Sequence, residues 1–168
     1  MIPAHSSKRY FEETKLLVIN KNSQIEHAKV GHLSDYFKKE DLLIVNNSGT
    51  MPSSFQVTTE TVTAPFEIRL AAFRGETHTD YTKWTAIIFG SGDWRLPTEK
   101  RGPAPTVAKG TSLKISDSLS AKVTDVKSGS PRLIEIEFQS TQLIEDLYSE
   151  GRPIQYSYLN ESLEVWDQ

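Results

Sequence analysis

Residues 41–55 read Asp-Leu-Leu-Ile-Val-Asn-Asn-Ser-Gly-Thr-Met-Pro-Ser-Ser-Phe, and this stretch decides how the chain is interpreted. Its four apolar residues, which end in the β-branched Ile44 and Val45, predict a buried strand that stops at two amides, a hydroxyl and a glycine. Polar groups at a strand end are common where an open α/β sheet binds a ligand, because the strand is rigid and the loop presents donors and acceptors. An ordinary Asn/Gly turn gives the same pattern.

The same stretch resembles a known signature. It is similar to the segment Asp-Leu-Leu-Val-x-Asn-Asn-Thr-Arg-Val-x-Pro-Ala-Arg of the S-adenosylmethionine:tRNA ribosyltransferase-isomerases, the QueA family of queuosine biosynthesis. The identical positions are Asp41, Leu42, Leu43, Asn46, Asn47 and Pro52, and Ile44 and Ser48 are close substitutes. Residues 15–19, 25–37 and 151–158 resemble further segments of the family, so the resemblance spans almost the whole chain.

The chain departs from the family pattern in two ways. Gly49 and Ser54 stand where the family has arginines, so these positions lack the fork-shaped guanidinium that suits carboxylate or phosphate. The family also continues into a second half with an Ala-Pro-Thr-Ala-Gly-Leu-His-Phe-like segment, which has no counterpart in these 168 residues. We therefore expect the N-terminal portion of a divergent QueA-like enzyme, inactive without the missing C-terminal half or a second polypeptide that supplies it.

Composition describes an ordinary soluble globular chain. Of the 168 residues, 37% are hydrophobic and 24% are charged, and the net charge of −3 predicts no strong overall attraction to phosphate backbones. The absence of cysteine excludes disulfides, thiolate catalysis and Cys-type zinc sites. Residues 1–10 are polar and basic, unlike a secretory signal, and no apolar run approaches membrane length. A cytoplasmic protein without a membrane segment is expected.

The middle of the chain predicts a small β-barrel or sandwich rather than βαβ units, because short strand-like runs recur with turns between them, and we adopt the antiparallel barrel. The predicted strands are 67–73, 83–89, 111–115, 121–126 and 133–138. Glycines at 90, 92 and 129 supply the backbone freedom that hairpins need.

The flanking segments predict different elements. A hairpin is expected from residues 16–19 and 25–30, a helical turn near Tyr36, and a helix that Ser140 caps and Gly151 ends. The predicted fold is therefore an incomplete α/β domain with an inserted barrel: residues 1–57 are its N-terminal part, 58–139 the barrel, and 140–168 a helix and tail that return to it. Such discontinuity resembles the architecture of the family.

Several common catalytic patterns are absent from the sequence. The alternation of Glu135 and Glu137 with Ile134 and Ile136 indicates a solvated strand face opposite the core rather than an acid/base pair. The four histidines are scattered, and no metal site is predicted. No Gly-x-Ser-x-Gly elbow, G-x-G-x-x-G turn or P-loop occurs, so serine hydrolases and these nucleotide sites are not supported.

One loop has the composition of an RNA contact. Trp94 stands near Arg95, Lys100 and Arg101, and an aromatic ring beside cations can stack on unpaired bases and pair with phosphate. An ordinary surface loop has the same residues. Arg9 is a second basic position and approximates an arginine that QueA-like chains place before their first strand.

The resemblance implies a reaction and its partners. The family transfers and isomerises the ribosyl group of S-adenosylmethionine onto 7-aminomethyl-7-deazaguanine of tRNA to give epoxyqueuosine, so S-adenosylmethionine is a substrate and no permanently bound cofactor is expected. The implied substrate holders are Asn46, Asn47, Ser48 and Thr50, and no catalytic residue is assigned. The alternative is a non-catalytic RNA- or protein-binding module derived from the QueA fold.

Overall fold

A computed structural model describes residues 12, 14–46 and 49–163, and in this part the protein is mostly β. Its strands are β1 (Lys15–Ile19), β2 (Ile25–Lys29), β3 (Ser54–Val57), β4 (Phe66–Phe73), β5 (Lys83–Ile88), β6 (Ser112–Lys114), β7 (Ser120–Val126) and β8 (Leu133–Gln139). The α-helix is α1 (Leu143–Glu150), and Val30–Tyr36 and Thr98–Lys100 form short 3₁₀ helices. In the described residues, no helix is long and apolar enough to cross a membrane.

Six strands form a nearly closed antiparallel barrel. Their order is β3-β4-β5-β8-β7-β6, and its two edges meet where Thr58 and Lys114 exchange two backbone hydrogen bonds of 2.9 Å. Closure matters because an unpaired strand edge exposes donors and acceptors. The five strands predicted in this region are confirmed, with ends that differ by a residue or two.

The core of the barrel follows from alternation along the strands. Ile134, Ile136 and Phe138 of β8 point inward and are at most 3% exposed, whereas Glu135 and Glu137 lie on the other face, as predicted. On α1, Leu147 joins the same core with no exposed surface. Ser140 donates to Asp146 of α1, but the residue at the N-cap is Gln142, which makes no side-chain cap.

The hairpin β1–β2 is confirmed. Lys15 pairs with Lys29 and Ile19 with Ile25, and the turn is held by Asn20, whose Oδ1 accepts from the backbone of Asn22 and Gln24. Leu17, Ile19 and Ile25 of this hairpin are more than half exposed.

The prediction of a strand over residues 42–45 is wrong. The structure places residues 41–46 outside any strand, and Leu42 and Ile44 are 83% and 82% exposed. The physical reason is that a strand needs a hydrogen-bonding partner, and none of the described strands pairs with this segment. The predicted α/β domain is therefore not confirmed, and the division of the chain at residues 57 and 139 stays a prediction; β3, which begins at Ser54, already pairs with β4.

Candidate functional site

Glu67 is a buried carboxylate at the centre of a polar cluster beside the barrel. It lies on β4, where Phe66, Ile68 and Leu70 are buried as well, and it accepts three side-chain hydrogen bonds. Oε1 accepts from Ser54 Oγ at 2.8 Å and from Arg69 Nε at 2.6 Å, and Oε2 accepts from Arg101 Nη1 at 2.5 Å. Both oxygens are thus occupied, so Glu67 acts as an anchor for the two arginines.

These contacts decide the ionisation of Glu67. Burial alone raises the pKa of its carboxyl, but the hydrogen bonds from Arg69, Arg101 and Ser54 favour the anion and outweigh burial, so the pKa lies below its ordinary value of 4.5. Glu67 is therefore a fixed negative charge at neutral pH, unsuited to act as a general base.

Phe89 collects three guanidinium groups around one aromatic ring. The Cζ atoms of Arg69, Arg101 and Arg132 lie 4.4, 5.0 and 5.3 Å from the ring centroid. A cation is attracted to an aromatic ring at such distances. Phe89 and Glu67 together hold the arginines close to one another despite their mutual repulsion.

Two adjoining cavities lie beside this cluster, and we name them together the arginine groove. The main cavity of 680 Å³ is lined by Ser54, Gln56, Glu67, Trp94, Arg152 and Gln155, among others. The annexe of 140 Å³ is lined by Arg69, Trp94, Arg101, Gln155, Tyr156 and Tyr158, among others. Trp94 and Gln155 belong to both linings, so the two cavities meet at these residues.

The segment after α1 forms one wall of the groove. Arg152 and Ser54 exchange backbone hydrogen bonds of 2.8 and 3.0 Å, which fixes this segment against β3. The side chain of Gln155 accepts from Leu163 N at 2.7 Å and donates to Leu163 O at 2.8 Å, so it closes the following loop. Tyr156 and Tyr158 stack with ring centroids 5.5 Å apart.

The loop predicted to contact RNA splits into an outer and an inner part. Arg95 is exposed, pairs with Asp93 at 3.2 Å and covers the Trp94 ring at 4.7 Å, and Lys100 is exposed as well. Arg101 instead turns inward, since its side chain is only 2% exposed and is paired with Glu67. The outer cations can reach an approaching polyanion, whereas Arg101 holds the loop to the barrel.

The predicted substrate holders are only partly described. Asn46 and Thr50 are exposed on either side of a gap, and Asn47 and Ser48 lie outside the described residues, as does Arg9. Neither Asn46 nor Thr50 lines the arginine groove. Among the described residues, these two holders therefore share no groove lining with the predicted RNA contacts Trp94 and Arg101.

Sequence reasoning missed most of the groove. Glu67, Arg69, Arg152, Gln155 and the tyrosine pair were not singled out for it, and the available signal was a Glu-x-Arg alternation on an otherwise apolar strand. It also missed a separate cavity, of 650 Å³, that His27 and His32 line together with Lys15 and Lys29. No group of three or more potential metal ligands occurs among the described residues.

Comparisons with known proteins identify the family. The sequence profile described as queuosine biosynthesis protein matches residues 2–167. The chain belongs to this family. The family resemblance stated from residues 41–55 is thereby confirmed.

One similar protein of known structure is the S-adenosylmethionine tRNA ribosyltransferase from Thermotoga maritima, which was solved by crystallography. It is 24% identical, with a TM-score of 0.36, and the match covers 89% of this chain and 45% of that protein. The chain thus spans about half the length of this relative. No curated protein sequence matches.

Proposed function

We propose that this chain takes part in the queuosine modification of tRNA as the N-terminal portion of an S-adenosylmethionine:tRNA ribosyltransferase-isomerase. The observation that carries the proposal is the family match over residues 2–167. In this reaction the ribosyl group of S-adenosylmethionine passes to 7-aminomethyl-7-deazaguanine in tRNA, and adenine and methionine leave. S-adenosylmethionine is a substrate, so no permanently bound cofactor is proposed.

The tRNA contact is proposed at the outer part of the loop that follows β5. Trp94 supplies an aromatic ring, and Arg95 and Lys100 are exposed cations that can pair with phosphates. Arg101 contributes to this contact indirectly, because its ion pair with Glu67 holds the C-terminal end of the loop against β4. Arg9 remains a proposed RNA contact on the grounds of resemblance.

The exposed aliphatic segment supports the proposed domain arrangement. Leu42, Leu43, Ile44 and Val45 are all more than half exposed, although a run of four such residues is typical of a strand that is buried on both faces. We propose that residues 1–57 and 140–168 form an incomplete α/β domain, and that the second half of a queuosine biosynthesis protein, or a polypeptide that supplies it, covers this segment. Asn46, Asn47, Ser48 and Thr50 would then face the substrate at the end of the completed strand.

The catalytic groups are proposed to lie in that second half. In the described part of the arginine groove the buried carboxylate is that of Glu67, and its three donors hold its pKa below the ordinary value, so it is a weak base for a substrate proton. A second candidate function is a non-catalytic binding module for RNA or protein, and the exposed segment 42–45 favours a protein partner in that case.

One preparation tests the proposal in two ways. Filter binding should detect complex formation with tRNA that carries 7-aminomethyl-7-deazaguanine, and chromatography of the same mixture with S-adenosylmethionine should show no released adenine. Binding without release agrees with the proposed role. Failure of the folded chain to bind tRNA would contradict it, and turnover at the rate of a full-length family enzyme would show that no second half is required.

A further inference from the structure

The annexe of the arginine groove has an excess of positive charge. Arg69 and Arg101 line it, whereas their shared counterion Glu67 lines the main cavity instead. Glu67 can neutralise only one of the two guanidinium groups, and Arg69 is 15% exposed on its side chain. The acidic residue that also lines the main cavity, Asp93, is paired with Arg95 on the outer loop. The annexe is therefore suited to an anion.

The arginines also retain donor capacity. Arg69 Nη1 makes only a long contact of 3.4 Å, to the backbone oxygen of Gln155. Arg101 Nε is buried and has no hydrogen-bond acceptor among the described residues. A buried donor without an acceptor costs free energy, and the residue that carries this donor lines the annexe. A guanidinium presents its donors in a fixed fork that matches the oxygens of phosphate.

The walls of the groove are aromatic next to these donors. Trp94 lines both cavities, and Arg95 covers one face of its ring at 4.7 Å. Tyr156 and Tyr158 form a stacked pair that lines the annexe. Flat rings stack on any nucleobase, since every base has a π-face. The main cavity of 680 Å³ also falls in the size range of small-molecule sites.

We propose that the arginine groove binds one nucleoside monophosphate unit, with its phosphate in the annexe at Arg69 and Arg101 and its base in the main cavity against Trp94. The unit comes either from a free nucleotide or from single-stranded RNA, since both present the same chemistry. The inference rests on the proposed function only for the RNA source, because a nucleotide of the tRNA substrate would then occupy the groove.

Calorimetric titration of the folded chain with adenosine monophosphate and with adenosine tests this site. We expect saturable binding of the nucleotide and about tenfold or more weaker binding of the nucleoside, which lacks the phosphate. Arg69→Met should weaken nucleotide binding by about tenfold and leave adenosine binding unchanged. The matched control is Arg132→Met, because Arg132 faces the same Phe89 ring but lines neither cavity.

A second variant keeps the test valid if Arg69→Met unfolds. Trp94→Leu changes a half-buried loop residue outside the core, and it should weaken the binding of nucleotide and nucleoside alike. Circular dichroism confirms that each variant is folded. Displacement of the bound nucleotide by single-stranded hexauridylate assigns the site to RNA, and lack of displacement assigns it to a free nucleotide.

Three results would overturn the proposal. The first is that the folded chain shows no saturable binding at about 1 mM adenosine monophosphate. The second is that it binds adenosine as tightly as the nucleotide. The third is that S-adenosylmethionine displaces the bound nucleotide at a lower concentration than unlabelled adenosine monophosphate does. The titration involves no tRNA and no turnover. Its failure therefore leaves the proposed tRNA function standing, and failure of tRNA binding leaves a positive titration intact.

Discussion

Glu67 on β4 and Arg101, 34 residues further along the chain, form an ion pair with 2.5 Å between Oε2 and Nη1. Both side chains are less than a tenth exposed, so this pair fastens the end of the loop that carries Trp94, Arg95 and Lys100 to the barrel. The outer residues of the loop remain at the surface. A buried contact between distant residues thus positions the proposed RNA contact.

Replacement of Glu67 tests this anchoring. Glu67→Gln leaves the buried guanidinium of Arg101 without its counterion, and we expect it to lower the free energy of unfolding by about 3 kcal/mol at neutral pH. Because the pKa of Glu67 is below 4.5 in the folded chain, its stabilisation is fully present above that value and is lost as the pH falls through the folded pKa. Urea unfolding at pH 7 and at about pH 3 should therefore show a difference that shrinks in acid.

The matched control is Glu76→Gln, because Glu76 is 79% exposed in its ion pair with Lys83. It should change the free energy of unfolding by less than about 0.5 kcal/mol. An equal effect of the two variants at pH 7, or a Glu67→Gln effect that does not decrease in acid, would show that the ion pair does not anchor the loop.

Ser54→Ala removes one of the three donors to Glu67. The hydroxyl is buried and lies 2.8 Å from Oε1, so its loss should cost about 1 kcal/mol while the two arginines keep the carboxylate ionised. Thermal unfolding measures the effect, with Ser112→Ala on β6 as an exposed serine control. A neutral Ser54→Ala would mean that this hydrogen bond is not needed to hold Glu67.

The exposed aliphatic segment, residues 42–45, is expected to tolerate polar substitutions without loss of stability. Leu42→Ser with Ile44→Ser should change the free energy of unfolding by less than about 0.5 kcal/mol, because both side chains are more than 80% exposed. Leu113→Ala, by contrast, removes a fully buried side chain from the barrel and should cost about 2–5 kcal/mol. If the Leu42→Ser, Ile44→Ser double variant destabilises the isolated chain as strongly as Leu113→Ala does, residues 42–45 are buried in solution. The proposal that a second half covers this segment would then be wrong.

The barrel strands were predictable because the pattern that specifies them lies within each short segment of sequence. In β8 the alternation of Ile134, Ile136 and Phe138 with two glutamates sets which face is buried, whatever lies next to the strand. The turns were equally local, since Gly92 and Gly129 adopt positive φ angles of 113° and 78°, which other residues rarely do.

The rest depends on contacts that no local pattern encodes. The run 42–45 has the composition of a buried strand, but burial depends on pairing with a second strand, and none of the described strands provides it. In the sequence, Arg101 cannot be distinguished from the other cations of its loop. Only the folded barrel brings it into contact with Glu67. The groove likewise needs the segment at Gln155, far from β4 in sequence.

Salt-dependent tRNA binding by a loop variant tests the central claim most directly. Arg95→Ala with Lys100→Ala removes two exposed cations, and each phosphate contact contributes about 0.7 to 0.9 to the slope of log Kobs against log salt. We predict weaker binding and a slope that is flatter by about 1.4 to 1.8, whereas Lys109→Ala with Lys122→Ala, two exposed cations elsewhere on the barrel, should leave the slope unchanged. The same slope and affinity in both folded double variants would contradict a tRNA contact at this loop.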